Sequence, residues 1–167
     1  MIALQLTDKK DFMNKLLRSE IFDNFLLQEA IINNCASYVI DGHIQKDFYS
    51  TDEIEELGLT GYKMLPFRLL RTSCFDLIKG KKTPSYFKFV FLLSPENLKK
   101  TMASLDSNFT ENDISGVFIN LRYQNDILTL TTGISYNIFS IDKTLEFQWD
   151  KLVKKFLHTN EIAFEEL

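Results

Sequence analysis

The stretch from Ser85 to Ile141 most constrains what this chain can fold into. Phe87, Phe89, Phe91 and Leu93 alternate with Tyr86, Lys88, Val90 and Leu92. That period of two predicts a strand, and both phases are apolar enough to predict cover on its two faces. Ser94-Pro95-Glu96 follows at once. It joins a capping hydroxyl, a proline whose missing N–H costs nothing in a first turn, and an acid favoured by the helix dipole. Leu98, Met102 and Leu105 give that helix its buried stripe. Val117 to Tyr123 then alternates, Gln124-Asn125-Asp126 turns, Ile127 to Thr131 returns, and Gly133 leads into a further strand, Ile134 to Ile141.

The first half has the same order of elements in looser form. Ile2 to Leu6 reads as a strand, and Thr7 or Asp8 caps a helix with Phe12, Met13, Leu16 and Leu17 on one face. Lys9, Lys10, Lys15 and Arg18 lie around its remaining surface. Leu26 to Asn33 and Ser37 to Ile44 read as strands, with Asp41-Gly42 as a tight turn because that pair tolerates positive φ. Ser50-x-x-Glu53 is a capping box for a short acidic helix over Thr51 to Leu57, ended by Gly58. A longer helix is predicted from Leu65 to Lys79, with Pro66 in its first turn, Cys74 on its apolar stripe and Gly80 beyond its end.

Asp142 or Thr144 starts a closing helix with Leu145, Trp149, Leu152, Val153 and Phe156 inward, and Asn160 ends it. A shift of 86 residues places Asp8 on Ser94, Phe12 on Leu98 and Leu16 on Met102. A shift of 80 places Leu65 on Leu145 and Phe67 on Phe147. The expectation is a single α+β domain over residues 1–167 with a mainly antiparallel sheet. It would hold two pseudo-repeats, 1–82 and 84–160, each a strand, a capped helix, a strand meander and a helix, with 161–167 a loosely held tail.

A chain of 167 residues, 45% hydrophobic and 25% charged, can bury a core without disulfides or metals. Its 15 Phe residues point to strands and aromatic packing. No apolar run approaches the roughly 20 residues that cross a bilayer. The alternating start Met1 to Leu6 lacks the basic region of a signal peptide. Cys35 and Cys74 have no C-x-x-C spacing and read as reduced thiols, so a cytoplasmic protein is the simplest expectation.

The net charge of −4 is unevenly spread. Residues 1–62 carry 5 Lys/Arg against 11 Asp/Glu, a balance of −6. Residues 63–88 carry 7 (Lys63, Arg68, Arg71, Lys79, Lys81, Lys82, Lys88) against Asp76 alone, a balance of +6. Residues 89–167 carry 7 against 11, a balance of −4. Local fields act independently of the net value, so Arg68, Arg71, Lys79, Lys81, Lys82 and Lys88 form the candidate anion or nucleic-acid site, with Tyr62 and Tyr86 as stacking faces. The competing explanation is a solvated turn whose lysines stabilise a helix C-terminus.

Catalytic motifs are missing. His43 is placed just after the Asp41-Gly42 turn and His158 in a helix's last turn, both in structural positions. The acids Asp52, Glu53, Glu55 and Glu56 match no metal loop. Gly80-Lys81-Lys82-Thr83 follows a helix where a phosphate-binding loop precedes one, and Phe75 stands where that motif needs its upstream glycine. No catalytic residue, metal ligand or cofactor is assigned.

Across most of its length, and most specifically at Phe75 to Pro84, the chain resembles an uncharacterised family of Firmicute proteins known only as a domain of unknown function. That resemblance implies no activity. Ile114-Ser115-Gly116-Val117 through Leu128-Thr129-Leu130-Thr131-Thr132 is similar to the DNA sliding-clamp fold, whose domains duplicate a β-α-β-β-β unit. Here Gly133 stands where an acid commonly follows the threonine pair, and the two closing helices are additions to that unit. The resemblance implies a clamp-like fold without a ring. The leading functional expectation is thus a non-catalytic, nucleic-acid-associated or scaffold domain. The alternative is a protein–protein interaction module using a sheet edge or the apolar tail Ile162-Ala163-Phe164, and an enzyme without a sequence motif ranks last. The sequence assigns no membrane partner and no oligomeric state.

Overall fold

A computed structural model describes residues 1–167. The chain runs β1 (Ala3–Leu6), α1 (Lys9–Arg18), β2 (Leu26–Asn33), β3 (Ser37–Asp41), α2 (Thr51–Glu56), α3 (Arg71–Ile78), β4 (Tyr86–Leu92), α4 (Pro95–Ser104), β5 (Ile114–Gln124), β6 (Ile127–Tyr136), α5 (Thr144–Thr159) and β7 (Phe164–Glu166). The strands form one seven-stranded sheet in the order β3-β2-β4-β5-β6-β1-β7. Every neighbouring pair is antiparallel. The fold is α+β.

Strand alternation fixes which side is buried. Ala30, Phe89, Leu121, Leu130 and Leu4 stand side by side across five strands, and all are fully buried. A slip of one residue in any strand would turn its apolar set to water. The inward faces of α1 (Phe12, Leu16), α3 (Cys74) and α5 (Trp149, Val153, Leu157) join the same cluster, and Leu98 and Met102 of α4 pack against it. α1, α3 and α5 therefore cover one face of the sheet, and α4 adds two half-buried side chains to the same core. Its centre is aromatic: Phe91 lies 5.1 Å from Phe67, 5.4 Å from Phe22 and 5.9 Å from Phe89, measured between ring centroids. Each such pair contributes about 0.5–1.5 kcal/mol beyond the area it buries.

The opposite face differs from expectation. Tyr86, Lys88 and Leu92 are only half-buried and Val90 alone on that face is buried, so β4 is covered fully on one side and partly on the other.

Other boundaries moved for identifiable reasons. The predicted Leu65–Lys79 helix is a 3₁₀ turn at Phe67–Leu69 followed by α3. Leu65 O accepts from Leu27 N (2.9 Å), and Phe67 N donates to Phe25 O (2.8 Å), so those peptide groups serve β2 and the residue before it instead of a helix. Asp41-Gly42 is not a hairpin tip. The β2–β3 turn lies at Asn34-Cys35-Ala36, closed by Asn34 N to Ala36 O at 3.0 Å. Gly42 instead runs against β2, and His43 bridges to Met64.

Beyond the turn at Asn125 and Asp126, both with positive φ as a tight hairpin turn requires, β6 passes through Gly133 as one strand. The predicted strand Ile134–Ile141 therefore ends at Tyr136, and Ile138, Phe139 and Ile141 lie exposed in the loop that follows. The tail is not loose: Ile162 is buried, and β7 pairs with β1 through Leu167 N to Ala3 O at 3.0 Å.

The two halves share element order, and α1 and α4 are both ten residues long and begin 86 residues apart. Strand pairing does not repeat. β4 lies beside β5, the strand that follows its helix, whereas β1 is four places from β2.

Candidate functional site

The six cations singled out from the sequence separate into three environments. Arg71 grips Asp23 with two hydrogen bonds, Nε to Oδ1 at 2.8 Å and Nη2 to Oδ2 at 3.1 Å, and Asp23 is only 8% exposed. Arg68 donates from Nη2 to Leu57 O at 2.8 Å. Both tie the 57–71 segment to its neighbours. Lys88 lies on the open sheet face, 3.2 Å from Glu29. Lys79, Lys81 and Lys82 remain together at the α3–β4 connection.

That connection stands between two clefts. On one side, Lys81 and Lys82 line a recess of about 500 Å³ with Asn34, Cys35 and Ser85. On the other, a groove of about 480 Å³ runs between α1 and residues 78–84. Gly80 and Thr83 border both.

Four cations line the groove, Lys9, Lys10 and Arg18 from α1 and Lys79 from the end of α3, against one carboxylate, Asp126. Helical spacing projects the α1 cations outward because Phe12, Leu16 and Leu17 occupy its buried side. Lys79 is brought opposite because α3 packs on α1 and ends where the chain turns at Gly80, φ 147°. Lys10 and Arg18 have no carboxylate within 4.0 Å, whereas Lys79 pairs with Asp76 at 2.9 Å and Lys9 with Asp126 at 2.6 Å. Both of those pairs are solvent-exposed and contribute little to stability.

The groove has aromatic walls. Phe75 carries the Arg18 guanidinium 5.2 Å and the Lys79 ammonium 5.6 Å from its ring centroid. Tyr123 stacks on the buried Phe87 at 5.0 Å and 12°, and its hydroxyl donates to Asp126 Oδ1 at 3.2 Å. Burial raises the Tyr123 pKa, assisted by Asp126. The Lys9 ammonium, then the Tyr123 hydroxyl, hold the Asp126 carboxyl below its usual range.

Sequence reasoning found Lys79 and noted the basic surface of α1. It missed that these converge, and it missed Tyr123 and Asp126. The hairpin turn at 125–126 was visible, but its approach to α1 depends on β6 lying beside β1, a pairing across some 125 residues.

A smaller polar cleft of about 310 Å³ lies near Asp23, Tyr62, Arg68 and Glu96. Tyr62 donates its hydroxyl to Glu96, and burial together with that bond pushes the phenol up to about 12. The same bond lowers the Glu96 carboxyl. This pair fastens the 57–66 loop to the start of α4. His43 bonds to Asp41, and His158 lies 5.0 Å from the Phe164 ring. No group of three or more His, Cys, Asp or Glu side chains is placed to share a metal ion. No helix is long and apolar enough to cross a membrane.

The fold thus defines an antiparallel-sheet α+β protein with a basic, aromatic-walled groove on its helical side. Residues 15–165 match the model of a family of unknown function, DUF5721, and the chain belongs to that family. No curated protein and no solved structure matches it.

Proposed function

We propose that this is a non-catalytic, nucleic-acid-associated domain whose contact surface is the groove between α1 and the α3–β4 connection. One observation carries the reading: Lys9, Lys10, Arg18 and Lys79 surround a groove that Phe75 and Tyr123 wall and that a single carboxylate borders. Cations supply phosphate affinity through counterion release, and aromatic faces supply stacking. Lys81 and Lys82 extend the basic surface beyond Gly80. The clamp-like, duplicated reading draws support from element order alone, and groove binding does not depend on it.

Filter binding of labelled single- and double-stranded oligonucleotides at about 50 and 200 mM salt tests the proposal. Retention at the lower salt that falls steeply at the higher is the expected result. No retention at low salt removes the reading.

A specific observation favours a second reading, a protein-interaction module. Phe139 is 94% and Ile141 84% exposed in the β6–α5 loop, beside exposed Ile138 and Phe147. Isolated exposed apolar residues are ordinary, but four within ten positions are a candidate contact. Loss of a captured protein on Phe139→Ser with Ile141→Ser, with nucleic-acid binding absent throughout, would favour it.

A further inference from the structure

We propose that the groove holds an unpaired base of a single-stranded nucleic acid. The base stacks beside Tyr123 while its flanking phosphates meet Lys10, Arg18 and Lys79, and the strand leaves over Gly80 and Thr83 toward Lys81 and Lys82. This inference rests on the nucleic-acid reading and adds the form of the ligand.

Three features select a single strand. The first is size: about 480 Å³ lies within the ~300–1,000 Å³ typical of small-ligand pockets, room for one nucleotide-sized unit and not for a duplex. The second is the ring. Tyr123 spends one face on Phe87, 5.0 Å away, and borders the groove, so a flat partner finds a rigid platform at little entropic cost. Unpaired bases leave the stack at little cost and offer a π-face, whereas the interior bases of a duplex are held between their neighbours by pairing. The third is the arrangement of charge. Lys10 and Arg18 have no carboxylate partner, and the exposed Lys79–Asp76 pair is easily exchanged. The cations lie around the groove and continue past its shared border into the recess with Lys81 and Lys82. That layout follows one backbone across the α3–β4 connection instead of presenting a flat basic face.

Stacking also explains the Lys9–Asp126–Tyr123 chain of contacts. The Tyr123 hydroxyl on Asp126 and the Lys9 ammonium on the same carboxylate, at 3.2 and 2.6 Å, lie along the ring's edge and leave its face free. Lys9 offsets the charge of Asp126, so the one carboxylate at the groove does not face the phosphates bare.

The test is fluorescence anisotropy with a labelled decathymidylate, its abasic counterpart with the same phosphates, and a duplex of equal length, all at about 50 mM salt. Single strands are expected to bind at least tenfold more tightly than the duplex, and removing the bases is expected to weaken binding by about tenfold or more. Tyr123→Leu should reproduce the abasic loss, Tyr123→Phe should retain binding, and Lys10→Gln with Arg18→Gln and Lys79→Gln should weaken every ligand. Equal binding of abasic and base-bearing strands overturns the inference while leaving nucleic-acid association intact, and needs no variant to fold. Equal binding of strand and duplex overturns it likewise. Binding of none of the three ligands overturns both.

Discussion

Replacing Gly42 with alanine should be among the most damaging small changes available to this protein. A β-carbon built there lies 1.6 Å from Leu27 O and 2.7 Å from Leu27 C. Both are backbone atoms in β2, which cannot swing aside as a side chain would. The segments must separate, and two hydrogen bonds lie at the seam: Gly42 N to Gln28 O at 2.9 Å and Leu65 N to Gly42 O at 2.8 Å. Losing both costs about 2 kcal/mol at roughly 1 kcal/mol each, and forced displacement adds about 1–3 kcal/mol. The sum is about 3–5 kcal/mol, a large fraction of a typical domain's stability of about 5–15 kcal/mol. At about 2–4 °C per kcal/mol for this size, the melting midpoint should fall by roughly 10 °C. Differential scanning calorimetry reads that directly. Gly133→Ala is the control, because no atom lies within 4 Å of its added carbon, and it should shift stability by less than about 1 kcal/mol. Gly42→Asn decides the cause. A tight turn tolerates asparagine, whereas close backbone approach rejects it as firmly as alanine. A Gly42→Asn protein melting within 2–3 °C of the wild type would refute the reasoning.

Arg71→Ala should cost about 2–3 kcal/mol in chemical denaturation, since it strands the Asp23 carboxylate in a site 8% exposed, while leaving oligonucleotide affinity of the folded protein unchanged. Deleting residues 161–167 should lower the melting temperature by several degrees in calorimetry, because it removes the buried Ile162 and the pairing of β7 with β1. A thiol reagent should modify the exposed Cys35 and spare Cys74 until the protein unfolds, as burial pushes the Cys74 thiol up to about 12. That shift has a sign. The folded state holds the Cys74 proton more tightly than the unfolded chain, so its contribution is full below pH about 9 and is lost as pH rises toward about 12. Tyr62, raised from 10.0 to about 12, acts in the same direction. Cys74→Ala should therefore flatten the fall in stability measured between those limits.

Local signals carried much of the fold. The Ser94-Pro95 start of α4, the Ser50–Glu53 capping box, the alternation in β4 and the turn at 125–126 all depend on neighbours within a few residues, and all formed as expected. Errors arose where a distant partner decides. Gly42 has a turn residue's identity, yet β2 dictates its conformation. Pro66 looks like a helix start, but the bonds of Leu65 and Phe67 to β2 and its approach delay the helix to Arg71. The tail looks frayed because its partner is β1, at the other end of the chain. The site was half legible for the same reason. Charge counting found the 63–88 segment, but composition does not say which cations are already bonded. Arg71 and Arg68 serve the fold, and α1 supplies the cations that face Lys79.

The salt dependence of single-strand binding, compared between the wild type and the triple variant Lys10→Gln, Arg18→Gln, Lys79→Gln, tests the central claim most directly. Each phosphate neutralised on a single strand contributes about −0.7 to the slope of log K against log salt. The groove account predicts that removing its three cations makes that slope shallower by about 2 units and weakens binding at low salt, while the loss of the Arg18 and Lys79 contacts with Phe75 lowers the melting temperature by no more than a few degrees. The same slope and affinity in both proteins would contradict it, as would no binding by the wild type at low salt.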